Sequence, residues 1–129
     1  DKAEKLTEKN SGMTVIVAAD YGGHWDITNA VRQMVGKVAS GEMAAADIDE
    51  VMVQDHMTIG DLPMPDLCIR TGGEQRVSNF LLWQFAYTEF YFTNTLWPDF
   101  DDSEFDKALE DYAGRQRRFG KISEQLEKG

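Results

Sequence analysis

The sequence has few of the residues that form covalent cross-links, metal cages or membrane spans. Cys68 is the one cysteine among 129 residues, which excludes an internal disulfide framework and fits a reducing compartment. His24 and His56 lie far apart, without cysteines or carboxylates at ligand spacing, so a zinc site is not expected. No apolar run approaches the roughly 18 residues of a membrane-spanning helix. We therefore expect a cytoplasmic protein.

Positive charge is also scarce. The chain has 13 lysines and arginines against 23 aspartates and glutamates, and its formal net charge is -10. Such a chain has no overall electrostatic attraction for nucleic acid, so we expect no nucleic-acid partner. Any anion that it binds must be held by a local cluster of cations, which makes the positions of the arginines informative.

Length and hydrophobic patterning predict the fold class. The 129 residues, 42% of them hydrophobic, suit one globular domain. Strand-like and helix-like segments alternate, which predicts an α/β fold with a parallel β-sheet flanked by helices. Strands are predicted at 13–20, 66–70 and 89–97, and helices at 26–39, 46–56, 79–87 and 102–118.

The predicted sheet is small. The run at 13–20 is continuously apolar and β-branched, which is typical of a strand buried on both faces of a parallel sheet. Three such strands leave an open edge unless further strands add to it. We therefore expect the chain, residues 1–129, to be a fragment or the C-terminal portion of a larger domain.

Two arginines and two glycines follow the strand that ends at Arg70. In open parallel sheets ligands bind beyond the carboxyl ends of the strands, and a glycine-rich turn before a helix offers N–H groups to an anion. Arg70 and Arg76 can add charge-assisted hydrogen bonds, and Ser78 can add a hydroxyl as well as cap the predicted helix. The pattern predicts a diphosphate site.

Spacing alone leaves a second interpretation open. The turn Thr71-Gly72-Gly73 lacks the Gly-Lys-Ser/Thr ending of a Walker loop, and the sequence has no GxGxxG. On this interpretation both arginines are solvated surface residues and Ser78 is an ordinary N-cap.

Residue identity favours the first interpretation. The stretch 66–100, DLCIRTGGEQRVSNFLLWQFAYTEFYFTNTLWPDF, closely resembles the C-terminal signature of the bacterial cis-prenyltransferases, the undecaprenyl diphosphate synthase family. YGGHWDI at 21–27 is similar to the family's Asn-Tyr-Gly-Gly-x-x-Asp segment, although Asp20 replaces the common asparagine. RQRRFG at 115–120 is similar to its C-terminal tail. The resemblance covers essentially the whole chain and implies the family's α/β fold.

The resemblance implies an enzyme and its substrates. Members of the family condense isopentenyl diphosphate onto farnesyl diphosphate with cis double bonds, using Mg²⁺, and make undecaprenyl diphosphate, a carrier-lipid precursor for cell-wall synthesis. Residues that match Arg70, Arg76 and Ser78 bind isopentenyl diphosphate in the family. Glu89 matches its magnesium-binding glutamate, and a carboxylate is a ligand that Mg²⁺ prefers.

Three further residues are expected to support this site. Glu74 could orient an arginine of the loop, and a structural role suits it as well as a catalytic one. Arg118 and Gly120 match the family's Arg-x-Gly motif, which reaches the partner's isopentenyl site across a dimer interface. The resemblance thus implies a homodimer, in the cytoplasm, with peripheral contact at the inner membrane surface compatible with release of a lipid product.

The resemblance also implies what this chain lacks. The family's loop for the allylic diphosphate, Met-Asp-Gly-Asn-x-Arg-Trp, contains the essential aspartate and lies in the N-terminal half, and this sequence has no such segment. We therefore assign no catalytic residue here and expect the chain alone to be inactive. A non-catalytic dimer partner of a cis-prenyltransferase is the alternative, and an unrelated phosphate-binding α/β domain is a more distant one.

Overall fold

A computed structural model of the protein describes residues 2–115. Its helices are α1 (Lys2–Thr7), α2 (Gly23–Ser40), α3 (Glu50–Asp55) and α4 (Asp102–Ala113), and its strands are β1 (Leu67–Arg70) and β2 (Glu89–Phe92). Short 3-10 helices lie at Ala45–Asp47, Gln84–Tyr87 and Trp97–Asp99.

The two strands form a parallel pair. Leu67 of β1 lies opposite Glu89 of β2, and Arg70 lies opposite Phe92. Helix α4 packs against β2, and α2 packs against α3. The α/β class, with a parallel sheet and flanking helices, is therefore confirmed.

Helix α2 is the longest element and matches its predicted position. Asp26, Ala30 and Met34 recur every four residues on its buried side, as expected of an amphipathic helix. It ends at Ser40 and is followed by Gly41, whose φ of 80° is a left-handed conformation that glycine adopts without strain. Asp101 caps the start of helix α4, because its side chain accepts a hydrogen bond from the Glu104 N–H, and the helix ends at Ala113 rather than at 118.

The predicted strand at 13–20 is not formed. A parallel strand needs backbone partners on a neighbouring strand, and within residues 2–115 this segment pairs with neither β1 nor β2. Its apolar side chains are exposed instead, with Met13 and Val17 each at 85%. The apolar pattern at 13–20 is therefore present without the sheet that would bury it.

The predicted helix at 79–87 is also wrong for most of its length. Ser78, Asn79 and Leu81 have φ values of 53°, 61° and 45°, which a right-handed helix does not contain. Only the end of the segment, Gln84–Tyr87, forms a 3-10 turn. Ser78 consequently caps no helix.

The predicted helix at 46–56 is interrupted. A 3-10 turn at Ala45–Asp47 precedes the α-helix, which begins only at Glu50. Asp49 makes this break because its side chain accepts a hydrogen bond from the Met52 N–H at 2.8 Å, as an N-cap does.

Candidate anion-binding site

Four side chains predicted from the sequence meet at the carboxyl end of β1. The Nη1 of Arg70 donates to Ser78 Oγ at 3.0 Å and also to the carbonyl oxygen of Arg76. Glu74 accepts from both guanidinium groups, through Oε2 from Arg70 and through Oε1 from Arg76. The structure therefore brings together Arg70, Glu74, Arg76 and Ser78.

The cluster is open to solvent. The side chain of Arg70 is 24% exposed, that of Glu74 46% and that of Arg76 63%. Exposed ion pairs of this kind contribute about 0–1 kcal/mol each. Two guanidinium groups against one carboxylate leave one net positive charge, so a more highly charged anion can displace Glu74 from the arginines.

The glycine turn serves the sheet rather than an anion. Gly72 and Gly73 have φ values of 86° and 80°, which favour glycine. Their N–H groups donate to the carbonyl oxygens of Thr95 and Thr93, each at 2.9 Å. These two N–H groups are therefore not available to a ligand, and the helix predicted at 79–87 does not form for most of its length. The cationic side chains remain as donors.

Glu89 lies away from this cluster. It opens β2, opposite Leu67, whereas Arg70 ends β1 three residues farther on, so at roughly 3.3 Å per residue the two positions are about 10 Å apart along the sheet. Its Oε2 accepts a hydrogen bond from Arg115 Nη1 at 2.9 Å. That bond raises the pKa of Arg115 above its usual value and keeps the guanidinium charged.

The donor set at Glu89 fits only one kind of Mg²⁺ site. Among residues 2–115 no three His, Cys, Asp or Glu side chains cluster as a metal cage. Mg²⁺ is commonly bound by one or two carboxylates together with substrate phosphates and water. A single carboxylate suits that arrangement, and the assignment of Glu89 to the metal stays a prediction. Arg118 and Gly120 lie outside the described residues.

Asp26 was not predicted as a site residue, yet it organises the segment 21–27. It is fully buried and accepts hydrogen bonds from Tyr21 Oη at 2.7 Å, Thr58 Oγ1 at 2.7 Å and the Thr58 N–H at 3.0 Å. Burial raises the pKa of Asp26, but hydrogen bonds from Tyr21, Thr58 and Gln84 outweigh burial, so the net pKa lies below its usual value. Burial and then the bond to Asp26 raise the pKa of Tyr21.

Asn79 is a second residue that the sequence reasoning missed. Its carbonyl oxygen accepts from the Gly23 N–H at 2.7 Å, and its side-chain Oδ1 accepts from the His24 N–H at 2.9 Å. The residue next to Ser78 is thereby fixed to the start of α2. The tolerance of asparagine for positive φ was the signal available in the Ser-Asn pair.

An apolar cavity begins close to the cluster. Its volume is about 470 Å³, and Phe80 and Leu81, two and three residues beyond Ser78, form part of its wall. Tyr21, Trp25 and Ile59 also line it. A hydrocarbon group attached to an anion at the cluster would therefore have an apolar space nearby.

The chain is similar to known proteins over nearly all of its length. Residues 1–120 match the prenyltransferase family model described as "Putative undecaprenyl diphosphate synthase". The farnesyl-diphosphate-specific ditrans,polycis-undecaprenyl-diphosphate synthase of Pseudomonas syringae pv. tomato is 52% identical over 128 residues, 99% of this chain and 51% of that protein. The Escherichia coli K12 synthase of the same name is 54% identical over 119 residues, 92% of this chain and 47% of that protein.

Two solved structures share the fold. Lavandulyl diphosphate synthase from Lavandula x intermedia, in complex with dimethylallyl diphosphate, superposes with a TM-score of 0.88 at 44% identity, covering 93% of this chain and 52% of that one. A "probable undecaprenyl diphosphate synthase" from Campylobacter jejuni gives a TM-score of 0.75 at 32% identity, covering 93% and 53%. The chain spans about half the length of the curated relatives that it matches. By sequence and by fold it belongs to the undecaprenyl diphosphate synthase family.

Proposed function

We propose that this chain supplies the isopentenyl diphosphate site of a cis-prenyltransferase. The complete enzyme condenses isopentenyl diphosphate onto farnesyl diphosphate and makes undecaprenyl diphosphate, the carrier-lipid precursor for cell-wall synthesis. The observation that carries the proposal is the cluster beyond the carboxyl end of β1, in which Arg70 bonds Ser78 and is joined to the Arg76 guanidinium through Glu74. The names of the curated relatives support the reaction.

Each side chain of the cluster has a role in binding the diphosphate. Both guanidinium groups donate charge-assisted hydrogen bonds to phosphate oxygens. Ser78 Oγ accepts from Arg70, which leaves its own hydroxyl hydrogen for the ligand. Glu74 releases the arginines when the more highly charged diphosphate arrives. The dimethylallyl diphosphate bound by the lavandulyl enzyme supports an isoprenoid diphosphate as the ligand class.

The chemistry needs an electrophile that this chain does not hold. The diphosphate group of the allylic substrate leaves with the electrons of its C–O bond, and the isopentenyl double bond supplies the electrons of the new C–C bond to the carbon it leaves. Loss of a proton to the solvent then restores a double bond. Residues of this chain contribute by holding the nucleophile in place, since positioning lowers the barrier of a two-substrate reaction. Glu89 would hold Mg²⁺ in part, and the ion when bound would supply charge stabilisation for a diphosphate group.

An N-terminal half and a second copy of the chain complete the proposed enzyme. The allylic diphosphate loop belongs to an N-terminal half that these 129 residues do not contain, and relatives about twice as long support this division. The chain alone is then inactive. The enzyme is a cytoplasmic homodimer in which Arg118 and Gly120 reach the partner's site, and release of a long lipid brings it into peripheral contact with the inner membrane surface.

A non-catalytic dimer partner is the second candidate. The cluster favours the enzyme. A supporting subunit has no need to keep two arginines joined through Glu74 and a serine bonded to one of them.

Incorporation of labelled isopentenyl diphosphate into butanol-extractable product tests the proposal. The chain and the protein from its complete gene are assayed side by side with farnesyl diphosphate and Mg²⁺. We expect product from the complete protein only, lost in Arg70→Ala and kept in Arg32→Ala, a control at an exposed arginine of α2. A silent complete protein would favour the non-catalytic partner, and product from the chain alone would contradict the division into halves.

A further inference from the structure

The start of helix α2 is held by a residue that is distant in sequence. The first N–H groups of an α-helix have no partner within the helix, and the residue before α2 is Gly22, which has no side chain to cap them. Asn79 takes this role from 55 residues away, with its Oδ1 on the His24 N–H and its carbonyl oxygen on the Gly23 N–H. Two of these donors are thereby satisfied by one residue.

The same residue fixes the backbone next to the anion-binding cluster. Asn79 follows Ser78, and their φ values of 61° and 53° both lie in the left-handed region. A serine remains in that region only when its surroundings impose it. Two contacts impose it here. Arg70 donates a hydrogen bond to the Ser78 hydroxyl, and the next residue, Asn79, is bonded to the start of α2.

Close packing holds the two segments together. A Cβ atom on Gly22 would lie 3.0 Å from Asn79 Nδ2, and one on Gly23 would lie 2.7 Å from Leu82 Cγ. The glycine pair thus lets the loop approach the helix. Two residues farther along α2 than His24, buried Asp26 binds Tyr21 and Thr58, which gives the helix start a rigid base.

We infer that Asn79 is a positioning residue for diphosphate binding. Its two hydrogen bonds transmit the fixed position of α2 to Ser78, and so place the Ser78 hydroxyl and the Arg70 guanidinium for the ligand. This inference rests on the proposed function.

Three variants of the complete enzyme test the inference. Asn79→Ala removes the Oδ1 acceptor and disfavours the left-handed backbone, whereas Asn79→Gly removes only the acceptor. Asn29→Ala, the same chemical change at a half-buried position of α2, is the control. Two quantities are measured: the dissociation constant for inorganic pyrophosphate, and the amide hydrogen exchange of Gly23 and His24 by NMR.

We expect Asn79→Ala to weaken pyrophosphate binding about fivefold or more, as the loss of a helix cap would, and to speed exchange at both amides. Asn79→Gly speeds exchange at His24 alone and weakens binding less. In turnover, the KM for isopentenyl diphosphate rises while kcat at saturation changes little. Asn29→Ala changes none of these.

Binding by Asn79→Ala within twofold of the unaltered protein would overturn the inference. Weaker binding with unchanged exchange would also overturn it, because Asn79 would then act on the ligand directly. If Asn79→Ala fails to fold, Asn79→Gly decides by the same two criteria. Failure of the unaltered protein to bind pyrophosphate would instead contradict the proposed function, and the exchange rates, which need no ligand, distinguish the two cases.

Discussion

Arg115 Nη1 lies 2.9 Å from Oε2 of Glu89, so an ion pair joins the residues just beyond α4 to the start of β2. The other terminal nitrogen, Nη2, pairs with Asp111 Oδ2 at 2.5 Å. Glu89 is also the carboxylate predicted to bind Mg²⁺. Arg115 and the metal ion would therefore compete for the same oxygen atoms.

Arg115→Ala is expected to lower the Mg²⁺ concentration needed for half-maximal activity. Both side chains are about one-third exposed, and such pairs are worth roughly 0.2–1 kcal/mol, so the shift is at most about fivefold. Mg²⁺ titration of prenyl transfer by the complete enzyme measures it, with Arg32→Ala as the control. Glu89→Gln should raise the requirement, and an unchanged requirement in both variants would remove Glu89 from the metal site.

The two arginines of the cluster are expected to contribute unequally to the binding of isopentenyl diphosphate. Arg70→Lys loses the bonds to Ser78, Glu74 and the Arg76 carbonyl together, because an ammonium group cannot reproduce the guanidinium fork. A lost charge-assisted bond is worth about 1.5–3 kcal/mol, or about 10- to 150-fold in the dissociation constant for isopentenyl diphosphate. Arg76 is more exposed, so Arg76→Lys should weaken binding of isopentenyl diphosphate less than Arg70→Lys does. Calorimetric titration of both variants with isopentenyl diphosphate measures the two effects. The reverse order would contradict the geometry of the cluster.

Two glycines of α2 should respond in opposite directions to alanine. The new Cβ of Gly23→Ala would lie 2.7 Å from Leu82 Cγ, so we expect a loss of about 1–3 kcal/mol in the free energy of unfolding. Gly36 has nothing within 4 Å of its Cβ position, and Gly36→Ala should gain about 0.5–1 kcal/mol. Denaturant unfolding of both variants tests this. Equal effects would show that Leu82 moves aside.

Asp26 should make the stability of the protein depend on acid pH. The folded chain binds its proton less readily than the unfolded chain does, because the net pKa is lowered. Its stabilising contribution is therefore complete above the usual carboxyl pKa of about 3.9 and is lost as the pH falls through the lower folded pKa.

Two variants test that dependence by denaturant unfolding from pH 7 to pH 3. Asp26→Ala removes the buried carboxylate that accepts three part-buried hydrogen bonds and should cost about 2–4 kcal/mol at pH 7, a loss that shrinks as the pH falls. Asp55→Asn, at an exposed carboxylate of α3, should change stability by less than about 0.5 kcal/mol. A loss at Asp26 that stays constant down to pH 3 would contradict the lowered pKa.

Hydrophobic periodicity correctly predicted the elements whose apolar residues pack as the pattern indicates. Helix α2 shows helical spacing over 18 residues, and β1 and β2 lie within the predicted strands. Strand 13–20 failed because pairing is a property of two strands, and one sequence segment does not contain its partner. The prediction of a helix at 79–87 was wrong because an apolar run is compatible with a helix or with a buried loop. Here the bond from α2 to Asn79 and the positive φ values give a loop.

The site was predicted unevenly for the same reason. That Arg70, Arg76 and Ser78 lie together could be predicted because all three closely follow the end of one strand. The bridging geometry of Glu74 between the two arginines needs three-dimensional positions. Asn79 and Asp26 act on residues 55 and 32 positions away, and nothing in one sequence marks such pairs.

The exposed segment at 13–20 also affects how the chain behaves at high concentration. Residues 13–19 contain no charge and no proline and are rich in valine and isoleucine, the composition of segments that stack into cross-β assemblies. With these side chains in water, copies of the chain can pair through them as intermolecular strands. Self-association that grows with concentration and is weakened by Val15→Lys, a gatekeeper substitution, would be the physical signature of a strand without its sheet.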